Sequence, residues 1–154
     1  MYKRHKIWAA IISSLSFLAA HVFHLDFTNI AEASITVVSI ALAVYIAVPS
    51  VLLGSPFAKE LKATTDAEDK TRSMLGTLSL YLRKAGGFSI ATLLSGCWFL
   101  LVPNSFDGEL TESVAYYARC GLSDLSFALF AINVFFIALI TDFLITALMN
   151  SSLR

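Results

Sequence analysis

The sequence predicts an all-α integral membrane protein with four transmembrane helices and a cytoplasmic helical hairpin extension between helices two and three. Three observations carry this. Of 154 residues, 57% are hydrophobic and only 14% charged, where a soluble domain carries about 25% charged residues. Four apolar runs are each long enough to cross a bilayer. The basic residues, finally, collect on one side of those four runs.

A spanning helix needs roughly 20 largely apolar residues, because the hydrocarbon core is about 30 Å thick and each residue rises about 1.5 Å. Residues 7–25, 30–53, 86–103 and 125–149 meet this requirement. Helices are the only spanning form open to such runs, since unpaired backbone groups are not tolerated in lipid. Lys3, Arg4 and Lys6 before the first run resemble the start of a signal peptide. That run has no clean small-x-small cleavage site, so it is expected to remain as a helix. The third run is the shortest, and its helix has room to begin earlier, in the amphipathic stretch before it.

Orientation follows from basic residues near the ends of the spans. Lys3, Arg4, Lys6, Lys59, Lys62, Lys70, Arg72, Arg83, Lys84 and Arg154 share one side, and Arg119 alone falls on the other. The expected location is a bacterial inner membrane, multi-pass, with both termini cytoplasmic. Trp8 near the inner interface and Tyr116 and Tyr117 near the outer one fit the same orientation.

The first outer connection, Asp26–Asn29, is so short that helices one and two are expected to form an antiparallel hairpin, with Asn29 as N-cap of the second. The second outer connection, 104–124, carries Leu110, Val114 and Tyr117 at helical spacing, with Gly121 placed to stop a short helix on the outer surface. The inner connection, 54–85, is the largest soluble part. Ser55 and Pro56 suit a helix start. Phe57 and Leu61 share one face, and Met74, Leu75, Leu78 and Leu82 share another before the Gly86–Gly87 pair. The polar run Thr64–Lys70 reads as the turn between them. At about 32 residues this extension is too small to bury a core alone. It therefore lies on the inner leaflet or packs against copies of itself, which suggests a homo-oligomer.

Residues 1–154 read as a single domain without repeat or low-complexity linker. Zero net charge says nothing by itself about nucleic-acid or acidic partners, and no duplex nucleic-acid binding is expected. Cys97 and Cys120 are too few for a disulfide framework and lack metal-ligand spacing, so both are expected free. There is no phosphate-binding glycine loop, no paired His–Glu metal motif and no serine elbow. An enzyme, a cofactor and a metal are all unexpected. Pro49 has no counterpart in a symmetric second half, which argues against a self-contained transporter.

Polar groups inside lipid are costly and are therefore functional candidates. Glu32, Thr36, Ser39, Ala43, Ile46 and Ser50 recur at steps of four and three and share a face of helix two. All but Ile46 are small or polar. The stripe has two readings. It lines a pore with Glu32 at the outer mouth, or it is a close helix contact with Glu32 serving the helix start. Asn133 in helix four is a further pore-lining candidate, or else glue between helices. Asp142, near the inner end of helix four, is a gating candidate or the partner of Arg83 or Lys84. His21 and His24, with Asp26 and Glu32 near, are read as pairing with carboxylates at the interface rather than as a metal or proton site.

Lys59, Lys62, Arg72, Arg83 and Lys84 form the inner basic group, together with Lys70. They set topology and touch anionic lipid, bind an anionic nucleotide or oligonucleotide, or contact a partner. Glu60, Asp66, Glu68 and Asp69 dilute their field.

The layout of four short spans, both ends inside, a charged helical inner loop and no catalytic motif resembles the small membrane effectors of bacterial anti-phage systems, the RexB-like and Hailong HalA-like ion channels. The closest local likeness is the end of helix two running into a basic stretch, LLGSPFAKELKA. The resemblance implies an oligomeric channel that depolarises the cell, and in the Hailong case control by an oligonucleotide signal. It is a likeness of arrangement and transfers no residue roles. Phage holins share much of it, and a non-conducting subunit or anchor of a larger complex is the other class of function the layout allows.

Overall fold

A computed structural model describes residues 2–53, 56–66, 70–102 and 109–152, with side-chain surroundings at 2–50, 58–59, 61–66, 70–102 and 116–146. Five helices follow in order: α1 Lys3–Val22, α2 Thr28–Leu53, α3 Pro56–Ala63, α4 Met74–Leu101 and α5 Glu109–Ser152. Four of them, all but α3, are long and apolar enough to cross a membrane.

α1 and α2 are consecutive and antiparallel, yet they diverge. α1 lies along α5, α2 lies along α4, and α4 and α5 pack on each other. The reason lies in the turn. Phe27 is fully buried, with its ring 5.6 Å from that of Phe99 on α4 and 5.3 Å from that of Phe127 on α5. Ser123 on α5 clamps the same turn, accepting from the Phe27 amide and donating to the Leu25 carbonyl, both at 2.9 Å. The connection is thus embedded in α4 and α5. His24 turns the chain at φ 49°, and Ala20 is the only buried residue of α1.

The start of α2 differs from expectation. Asn29 is already inside the helix. Asp26 does the capping, its Oδ1 accepting from the Thr28 amide at 2.9 Å and the Thr28 hydroxyl at 2.7 Å. Glu32 consequently lies beyond the first turn, which holds no acidic residue.

The second arm of the expected hairpin and the third span are one helix. α4 has 28 residues, about 42 Å at about 1.5 Å per residue, and the Gly86–Gly87 pair does not interrupt it. Ser73 caps its start by accepting from the Gly76 amide at 3.2 Å. Leu78, Tyr81, Leu82 and Ala85 are buried against Ala41 and Tyr45 of α2 and Ile132, Phe136 and Ile140 of α5. They belong to the main core, because these partners supply the apolar cover that a short hairpin lacks. α3 packs on α4 and α2. The turn that follows closes with the Asp66 amide on the Arg72 carbonyl at 2.9 Å and the Met74 amide on the Thr64 carbonyl at 3.0 Å.

The outer surface helix is likewise absorbed. α5 runs unbroken through Gly121 for 44 residues, about 66 Å. A helix interior tolerates a glycine when neighbouring packing holds it, at a cost of about 1 kcal/mol. Ser55 lies outside the described residues, as do the side chains of Phe57, Leu110 and Val114.

Large apolar residues cover the outside, and small polar ones sit among the apolar residues of the core. Ser34, Thr77, Ser89, Thr92, Ser126 and Asn133 are buried, while Ile7, Leu15, Leu18, Ile40, Leu94 and Trp98 are exposed. Water does not reward that arrangement, whereas lipid does, because inter-helix polar contacts gain when the outside is apolar.

Candidate functional site

Charge divides the helices into three zones. At one end stand His21, Asp26, Arg119 and Asp124; at the other, Lys3, Arg4, Lys6, Arg83, Lys84 and Asp142. Between Asp124 and Asp142 α5 carries no charge for 18 residue steps, about 27 Å. α1 between Lys6 and His21 and α4 between Lys84 and Leu101 are equally free of Asp, Glu, Lys and Arg. The belt matches a hydrocarbon core of about 30 Å. Glu32 stands one turn inside its edge.

The α2 stripe is intact and faces outward. Glu32, Thr36, Ser39, Ala43, Ile46 and Ser50 are all exposed, while Ala31, Ser34, Val38, Ala41 and Tyr45 on the opposite face are buried. The Thr36 hydroxyl donates to the Glu32 carbonyl at 3.0 Å and Ser50 to the Ile46 carbonyl at 3.2 Å. Glu32 has no ion-pair partner among the described residues.

Asn133 is elsewhere. It is fully buried between α4 and α5. Its Oδ1 accepts from the Ser89 hydroxyl at 2.6 Å. Its Nδ2 donates to Thr92 Oγ1 at 2.6 Å, to the Leu129 carbonyl at 2.9 Å and to the Phe88 carbonyl at 3.2 Å. Its oxygen and its amide group are both engaged inside the chain, so within one chain the side chain joins helices and does not meet the stripe. Among the described residues Phe136, Leu78, Val38 and Asn133 are fully buried in the core.

The expected basic group separates into parts. Lys59 and Lys62 of α3 and Arg83 of α4 line one cavity of about 710 Å³, together with Tyr45, Ile46 and Leu82. Lys84 borders a second cavity with Phe88 and Leu129, and Arg83 stands at the edge of both. Arg72 sits in the turn, its carbonyl bonded to Asp66. Asp142 is not beside Arg83 or Lys84. It borders a separate cavity of about 200 Å³ with Tyr2, His5 and Tyr81.

Compared with known proteins, the chain matches no family model, no curated protein and no solved structure. The reading of function therefore rests on its own geometry.

Tyr45 went unnoticed in the sequence. It is 5% exposed, and its hydroxyl is the one buried side-chain oxygen or nitrogen without a hydrogen-bond partner among the described residues. Pro49, four residues on, has no amide to give the Tyr45 carbonyl. Tyr81 was also missed. Its hydroxyl accepts from the Tyr2 amide at 3.0 Å and bonds His5 Nδ1 at 2.7 Å, while the Tyr2 hydroxyl donates to the Asp66 carboxylate at 2.9 Å. No spacing rule relates residues so far apart in the chain.

At the opposite end, His21 pairs with a carboxylate as expected, but the partner is Asp124 at 3.0 Å, not Asp26 or Glu32. Among the described residues no cluster of His, Cys, Asp and Glu suits a metal. Arg119 ties three elements together: it donates to Thr28 Oγ1 at 3.0 Å and the Val102 carbonyl at 3.4 Å, and lies 5.2 Å from the Phe99 ring centroid. Cys97 and Cys120 are free.

Proposed function

We propose that this chain is the subunit of a homo-oligomeric ion channel in a bacterial inner membrane, oriented with both termini in the cytoplasm. The observation that carries the reading is Glu32. It is a carboxylate at the edge of an otherwise charge-free belt, exposed on the outward face of α2, with no ion-pair partner among the described residues. Such a group is expensive against lipid and is tolerated where it meets water or a second protein surface. Several copies arranged with the Glu32–Thr36–Ser39 faces inward supply water and remove the cost. Rings of carboxylates at a mouth favour cations.

The inner cavity with Lys59, Lys62 and Arg83 is the gate's control point in this reading, responding to an anionic ligand. The layout shared with anti-phage effectors supports a role in depolarising the cell. Recording from purified protein in planar bilayers tests the proposal. Cation-selective steps are expected, and silence in every oligomeric state would sink it.

One observation favours the second reading, a non-conducting subunit or anchor. The Thr36 and Ser50 hydroxyls are satisfied by their own helix, so the stripe also suits plain contact with another protein's helix. A stable complex with a different protein after mild solubilisation, without homo-oligomer, is its expected signature.

A further inference from the structure

We infer that the cavity between α2, α3 and α4 is a built site for one phosphate-bearing amphiphile, an anionic phospholipid held with its headgroup on Lys59, Lys62 and Arg83. The inference names the ligand class for the control point above; it rests on membrane insertion and not on conduction.

Four features agree. The volume, about 710 Å³, falls within the roughly 300–1,000 Å³ of small-molecule sites. Among the described residues every charged side chain lining it is a cation. The start of α4, with Ser73 and Gly76 on the wall and no acidic residue in its first turn, adds the favourable end of a helix dipole. Tyr45 lines the same space and adds an aromatic wall to it.

The walls choose between a lipid and a free phosphate compound. Leu42, Ile46, Leu78 and Leu82 border the cavity, and an inorganic phosphate has nothing to lay on them. An acyl chain does. The cavity also sits where the charge-free belt ends, at the level of Arg83, which is the depth of a phospholipid headgroup in the orientation proposed. Basic pockets between helices at that level are suited to anionic headgroups.

The test is retention of lipid by the full-length protein released from nanodiscs of equal dioleoyl-phosphatidylglycerol and dioleoyl-phosphatidylcholine, read by native mass measurement. One phosphatidylglycerol per chain is expected, favoured over phosphatidylcholine by roughly tenfold or more. Inorganic pyrophosphate, the free-phosphate probe, is expected not to displace it. Neutralising Lys59, Lys62 and Arg83 together to Gln should weaken retention by roughly a hundredfold. Tyr45→Phe, which keeps the ring that lines the cavity, and Lys84→Gln, outside the cavity, should both leave it unchanged. Equal retention of the two lipids, pyrophosphate binding in place of lipid, or wild-type retention by the triple variant would overturn the inference. Retention is read without current, so a silent channel that still holds phosphatidylglycerol refutes the channel reading and leaves this one standing.

Discussion

The Ser89 hydroxyl donates to Asn133 Oδ1 across the α4–α5 contact at 2.6 Å, and the same asparagine returns a bond to Thr92 one turn along, also at 2.6 Å. This pairing decides what Asn133 does. A side chain fully consumed between two helices of one chain holds those helices together.

Replacing Asn133 with Leu should therefore lower stability and leave ion selectivity alone. Hydrogen bonds between membrane helices contribute on average about 0.6 kcal/mol and at most about 1.7 kcal/mol. With Ser89 and Thr92 both losing a partner, a loss of about 1–2 kcal/mol is expected, measured by unfolding from mixed micelles.

Gly96 of α4 packs directly against Ile35 of α2. A Cβ there would stand 2.8 Å from Ile35 Cγ1 and 3.1 Å from its Cδ1. Gly96→Ala should cost about 1–3 kcal/mol, as overpacking does. Adding Ile35→Ala should restore most of the loss. Additive penalties in the double variant would show that the two positions do not meet.

Arg119→Lys should behave as a loss, not as a conservative exchange. The guanidinium serves Thr28, the Val102 carbonyl and the Phe99 ring at once, and an ammonium has no planar fork with which to do so. About 1–2 kcal/mol of stability should disappear, measured by unfolding from mixed micelles.

Tyr81→Phe removes the anchor of the amino terminus while keeping the ring. Tyr2 and His5 both lose a partner. Hydrogen exchange at residues 2–6 should rise roughly tenfold, with exchange in α5 unchanged. An unaltered pattern at residues 2–6 would contradict the role given to Tyr81.

The four long helices were legible because apolar run length is a local property, and so was the outward face of α2, because a stripe at steps of four and three is read directly from the chain. Helix ends were less so. Gly86, Gly87 and Gly121 each carry a stop signal, yet α4 and α5 pass through them, since packing by Tyr81, Leu82 and Ala85 and by Ser123 and Asp124 on either side outweighs about 1 kcal/mol of glycine cost. The divergence of α1 from α2 was hidden because it depends on Phe27 finding Phe99 and Phe127. The inner basic cluster was visible as composition only. That Lys59, Lys62 and Arg83 converge while Arg72, Lys84 and Asp142 do not is set by the path of α3 across α4, which no spacing encodes.

The central claim is that the α2 stripe faces water inside an oligomer. In a background with Cys97 and Cys120 replaced by Ser, single cysteines at Thr36, Ser39, Val37 and Val44 should be exposed to a charged, membrane-impermeant thiol reagent during bilayer recording. Modification at Thr36 and Ser39 is expected to reduce current, while Val37 and Val44, exposed on a different face, do not respond. Current that is unaffected at Thr36 and Ser39, or blocked equally at all four, would contradict it.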